Sequence, residues 1–169
     1  MYKTFDPKQT RELLLLRHGW LSPEYELTDS INSYGRLSYS GLSIRMAMAI
    51  SAANRWLFKL GYIFSRTIAI TDETGAFIGE LKREILSRRT ILTLKTGFTA
   101  AFYRPFILSR EYIWESDQYG TLVRIKSYPL LFKDEITIEQ SITAPELIPL
   151  LIFLGAHLII LRRRRRSAR

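Results

Sequence analysis

LIPLLIFLGAHLIILRRRRRSAR, Leu147 to Arg169, is the stretch on which the reading of the whole chain turns. Fifteen residues from Leu147 to Leu161 carry no formal charge, and five consecutive arginines follow. A helix that is apolar on every face is surrounded either by protein or by lipid. Fifteen helical residues rise about 22 Å, whereas the hydrocarbon core of a bilayer is about 30 Å thick. Length therefore favours a core helix over a membrane span. Just upstream, Thr143 and Glu146 fit a helix start in which a hydroxyl and a carboxylate satisfy free backbone N–H groups. Pro145 suits a first turn. Pro149 does so only if the helix begins near it, because an interior proline costs about 3 kcal/mol. The expected core helix covers about 145–161.

Working back from the helix, the apolar residues between Glu24 and Gln140 recur mostly with period two. Leu42, Ile44, Met46, Met48 and Ile50 alternate with Ser43, Arg45, Ala47, Ala49 and Ser51. Phe98, Ala100 and Phe102 alternate with Thr99, Ala101 and Tyr103, and Ile136 and Ile138 with Glu135, Thr137 and Glu139. Such alternation is what a strand with one buried face requires. Turn signals punctuate the runs. Asp72 with Gly75, and Asp117 with Gly120, are spaced for tight hairpins with a bulge, the Asp bonding downstream backbone and the Gly taking positive φ. DSINSYGRLSY, with Asp29 and Gly35, reads as a longer version. The spacing predicts about twelve strands, near 12–17, 24–28, 35–40, 43–50, 54–60, 65–71, 76–84, 90–96, 98–104, 108–115, 121–127 and 134–140.

Twelve strands with one apolar face each need something to cover that face. Eight already close a barrel that side chains alone can fill, so a wider barrel needs an object inside it. One long helix, apolar all round, fits that need. The expected fold is mainly β: a mostly antiparallel closed barrel around a C-terminal hydrophobic helix. It forms a single domain over 1–161, and 162–169 is an exposed arginine-rich tail. The lipid-facing alternative for the helix stays open at this point.

Organised this way, the chain resembles the tubby C-terminal-like superfamily, which includes the LURP-one-related proteins and the phospholipid scramblases. The resemblance rests on hairpins such as IAITDETGAFIGEL, the strand count and the terminal apolar helix, and it runs from about Arg11 to Leu161. It implies a twelve-stranded barrel wrapped around a central helix. Tubby proteins use basic residues on the barrel face to grip phosphoinositides, and no residue here matches them. Scramblases carry cysteines, a proline-rich arm and an acidic calcium-binding segment, and this chain has no counterpart to any of the three. Scrambling and calcium dependence therefore do not carry over.

Charge is concentrated in one place. The net charge is +9, and Arg162 to Arg166 with Arg169 contribute six of the positive charges. The basicity belongs to the tail and not to the body. The absence of cysteine excludes disulfides and cysteine-ligated zinc. The four-leucine run at Leu13–Leu16 is too short for a signal-peptide core. The expected location is cytoplasmic, peripheral to a membrane or anchored in one.

Catalytic motifs are missing. His18 and His157 are far apart, each in an apolar setting, and no paired metal-ligating cluster exists. The segment Gly41 to Arg45, GLSIR, falls short of a nucleophile elbow. No phosphate-binding glycine loop occurs. Asp72, Glu73, Asp134 and Glu135 read as hairpin and strand-end residues facing water. The aromatics Trp56, Phe58, Tyr103, Phe106, Tyr112, Trp114 and Tyr128 read as barrel filling more readily than as a base-stacking platform. The expectation is a protein without catalysis, cofactor or metal. It binds or scaffolds at an anionic phospholipid surface through Arg162, Arg163, Arg164, Arg165, Arg166 and Arg169. One alternative is a tail-anchored, scramblase-like protein with the helix in the bilayer. Another is a barrel that binds a small molecule or, less readily, nucleic acid. The sequence does not identify a protein partner.

Overall fold

The computed structural model describes residues 1–19, 22–40, 44–61, 67–139 and 146–167. Twelve strands form one closed antiparallel barrel in which each strand pairs with its sequence neighbours and β12 closes on β1. They are β1 (Glu12–His18), β2 (Glu24–Thr28), β3 (Ser33–Tyr39), β4 (Met46–Ser51), β5 (Arg55–Leu60) and β6 (Thr67–Asp72). The second half comprises β7 (Phe77–Arg83), β8 (Thr90–Leu94), β9 (Thr99–Tyr103), β10 (Glu111–Ser116), β11 (Gly120–Tyr128) and β12 (Lys133–Ile138). The single helix, α1, covers Leu147–Ser167. The expected barrel and its helix are both present.

The helix is the core. Ile148 and every residue from Leu150 to Leu154 are buried, as are Ala156, His157 and Leu158 to Leu161, so burial runs right round the cylinder. Burying a large apolar side chain stabilises by roughly 1.5–3 kcal/mol, and no strand-only interior of this width supplies such contacts. Pro149 falls in the first turn, where its missing N–H costs nothing. Among the described residues, no helix is long and apolar enough to cross a membrane. Thr143 and Pro145 lie outside the described residues.

Both expected hairpins form with their glycines at positive φ, but only the first uses its Asp as the sequence implies. Gly75 has φ +83 and Gly120 has φ +71, and a register shift stands beside each turn, at Ile70/Thr71 and at Trp114/Glu115. In the first, Asp72 Oδ1 accepts from the Thr74 and Ala76 amides, both at 2.9 Å, and from the Thr74 hydroxyl. These bonds, the hydroxyl's first, hold its carboxyl below the usual carboxylate range. The second hairpin uses Ser116 instead of Asp117, its Oγ accepting from the Gln118 amide at 3.3 Å.

Three expectations need correction. Gly35 belongs to β3 and not to a turn; the left-handed residue of that turn is Ser30, φ 77, whose amide donates to Thr28 Oγ1 at 3.0 Å, while Asp29 Oδ1 accepts from the Asn32 amide at 2.6 Å. The inward face of β4 is Ala47 and Ala49, 1% and 0% exposed, while Met46 and Met48 face outward. Space decides this: a Cβ at Gly35 would lie 3.0 Å from the Phe153 ring, and Gly35, Leu37 and Tyr39 pair with Ser51, Ala49 and Ala47. Where the helix comes this close, only small side chains fit between it and the wall. Lastly, α1 does not stop at Leu161 but carries the arginines on as helix to Ser167.

The helix lies nearest β3, β4, β10 and β11. Around the ring these two pairs are separated by three strands on one side (β2, β1, β12) and five on the other (β5 to β9). Gly155 permits the approach to the second pair: a Cβ there would meet Ile125 at 2.6 Å and Trp114 at 2.9 Å. The five-strand side is consequently the roomier one.

Candidate functional site

Antiparallel connectivity sorts the connections into two sets. Those after odd-numbered strands lie at one end of the barrel, and those after even-numbered strands lie at the other. The chain enters α1 from β12 at the second end, so the helix delivers its arginines to the first.

The two ends differ in charge. Described residues in the first set of connections include Arg45, Arg88, Arg89, Arg104 and Arg110, against Glu84 alone. The second set has Asp29, Glu73, Asp117, Glu139 and Glu146, against Lys95 alone. The leading segment, with Lys3, Asp6, Lys8 and Arg11, offsets part of that acidity. The arginines of α1 then widen the contrast. The barrel is basic at one end, and its field points outward from the helix C-terminus.

The arginines are not equivalent. Arg163 turns back onto the wall: its guanidinium donates to Asp134 Oδ1 at 3.3 Å and to Ser127 Oγ. Asp134 is only 6% exposed, so it is not the water-facing strand-end residue the sequence suggested. It also accepts from Ser127 Oγ at 2.6 Å and from the Tyr128 amide at 3.2 Å. Arg162 lies over the Phe102 and Tyr112 rings, at 5.4 and 5.6 Å. These two half-buried residues fix the rotation of the helix end in the barrel mouth, while Arg164 and Arg165 are exposed. The Arg166 side chain and Arg169 lie outside the described residues.

Around this end, large apolar side chains stand in water. Ile85 and Leu86 follow β7, Phe106, Ile107 and Leu108 follow β9, and Leu130, Leu131 and Phe132 follow β11. Their exposures run from 51% at Phe132 to 101% at Leu86, far from core values. Isolated exposed leucines are ordinary, but clusters on three successive odd-numbered connections, ringed with arginine, are not. Cations also brace these connections: Arg17 over Phe132 at 5.2 Å, Arg89 over Tyr103 at 4.8 Å and Arg104 over Tyr112 at 5.4 Å. Sequence reasoning missed the apolar tips because it looked for function in charge and took apolar residues as core. Leu108 falls in an expected strand that in fact starts at Glu111, Phe106 reads as barrel filling, and the other tips lie between the expected strands.

The two histidines part company. His18 is exposed and pairs with Glu26 at 3.0 Å, so its setting is not apolar as the sequence suggested. His157 is fully buried between Tyr39 and Phe58; its Nδ1 shares a 2.9 Å hydrogen bond with the Tyr39 hydroxyl, and its Nε2 has no partner. Burial pulls its pKa down to about 4 from the ordinary 6.5. The unfolded chain therefore binds a proton between those values that the native protein refuses. The His157 contribution to stability is full above pH 6.5, falls through the window and levels off below about 4, a loss of roughly 3 kcal/mol. Urea titrations between pH 7 and 4 should show this slope in the wild type and lose it in His157→Leu. A slope shared by both would mean that another group titrates.

No family model matches the sequence, no curated protein matches it, and no solved structure matches the fold.

Proposed function

We propose that the protein docks, without catalysis, on an anionic bilayer through the helix-exit end of its barrel. The arginines of α1 and the neighbouring connections attract headgroups, and the loop tips at 85–86, 106–108 and 130–132 enter the interface. The observation that carries this reading is the coincidence of exposed apolar tips and exposed cations at one end, with acidic connections at the other. Cations near a charged leaflet contribute about 1 kcal/mol each, and buried apolar tips add a term that salt does not screen. A nucleic-acid partner would use the same arginines but would leave the apolar tips without a role. The barrel around a C-terminal helix also supports assignment to the tubby-like superfamily, whose architecture the sequence resembles.

Vesicle co-flotation tests the proposal. Wild-type protein should float with vesicles rich in phosphatidylserine and not with phosphatidylcholine alone, and binding should weaken steeply as salt rises. Arg164→Gln with Arg165→Gln should weaken it roughly thirtyfold, for about 2 kcal/mol lost. Leu86→Ser, Leu108→Ser and Leu130→Ser together should also weaken it, leaving a residue of binding that salt removes entirely. Equal flotation with neutral vesicles, or none with anionic ones at low salt, would overturn the reading.

A further inference from the structure

The off-centre helix leaves a cavity of about 380 Å³ open at the basic end, on the roomy five-strand side. Its floor is mainly apolar: Ile68 and Leu81 from the wall, with Leu158 and Leu161 from the helix, all buried, beside the buried Thr90. Its rim is cationic. Arg83, the last residue of β7, and Arg165 are exposed, and Arg162 stands half-buried between floor and rim. Among the described lining residues Glu84 is the single carboxylate, and it is engaged by the Ser87 hydroxyl.

We infer that this cavity is a binding site for a single-chain anionic amphiphile. Ligand sites favour barrel mouths and begin at about 300 Å³, so the space suffices for one alkyl chain and its head. The leucine and isoleucine floor removes apolar surface from water, the part of the ligand for which a cationic rim has no use. The arginines offer planar, multiple donors to a carboxylate or a phosphate, a geometry that a neutral head cannot exploit. Neither half of the lining accounts for the other; an amphiphile with an anionic head uses both. This site differs from the docking surface, since a dissolved ligand fills it with no bilayer present.

Calorimetric titration of the full chain with dodecanoate and with dodecyl phosphate, below their micelle concentrations, tests the inference. One-to-one binding of either anion is expected, with dodecanol and inorganic phosphate each at least about tenfold weaker. Arg83→Gln should weaken the anion about tenfold by removing one charge-assisted contact, and flotation only by the roughly fivefold that one cation near a leaflet contributes. Leu158→Trp, which fills the floor, should abolish binding; if it does not fold, the Arg83 variant still decides. The triple loop-tip serine variant should lose the salt-resistant part of flotation and keep the ligand at full affinity, so the two readings fail separately. No binding of either anion, dodecanol binding equal to theirs, or an unchanged affinity in Arg83→Gln would each overturn the assignment.

Discussion

Phe153→Asp should unfold the barrel. Phe153 is 0% exposed at the middle of α1, against Gly35 of β3, with no water to solvate a carboxylate. Removing a buried phenylalanine already costs about 3–5 kcal/mol, and an unpaired charge in its place costs several more. A domain with about 5–15 kcal/mol in hand does not absorb that sum. Circular dichroism and chemical denaturation would read it, and Phe153→Leu, expected to lose only a kcal/mol or two, is the matched control. The experiment also separates two lives for the helix. If it inserted in lipid, the aspartate would release the protein from membranes and leave it folded. A folded, soluble Phe153→Asp variant would show that α1 is not the core.

Gly35→Val should come next in severity. A Cβ at this position would lie 2.2 Å from the Ile50 carbonyl oxygen and 3.0 Å from the Phe153 ring. The ring could rotate away, but the carbonyl belongs to the β3–β4 ladder and cannot move without breaking it. A loss of about 3 kcal/mol or more is expected, beyond the usual range for overpacking. Because the obstacle is backbone, pairing Gly35→Val with Phe153→Leu should recover little. Gly75→Val provides the contrast. Nothing lies within 4 Å of its added Cβ, so only its positive φ is penalised, at about 1 kcal/mol. Urea midpoints for the three variants would rank them, and a Gly35 variant no worse than the Gly75 variant would mean that helix and wall are not so close.

The barrel was legible in the sequence because its determinants are local. Period-two runs, Asp before a turn and Gly within it each act over a few residues, and the helix announced itself by apolarity on every side. What was not legible depends on neighbours distant in sequence. Met46 and Met48 outrank Ala47 and Ala49 in hydrophobicity, so pattern alone turns β4 inside out. Only the nearness of α1, a hundred residues later, makes alanine the inward choice. The five arginines read as one run; that Arg163 pairs with Asp134 and Arg162 lies over Phe102 could not be inferred from a repeat of identical letters. The cavity was hidden for the same reason, since it exists only because the helix stands off centre.

The order of elements along the chain also bears on how the protein is made. Synthesis proceeds from the N-terminus, so all twelve strands leave the ribosome before the segment they enclose. Until Leu147–Leu161 emerges, the inward faces of the strands have no core to cover, and the ring cannot shut usefully, because β1 waits for β12. Domains that fold as they are synthesised bury their surface in instalments; this one withholds its largest instalment until all twelve strands are made. A ribosome stalled before Leu147 would hold an open, sticky sheet, the species that chaperones capture.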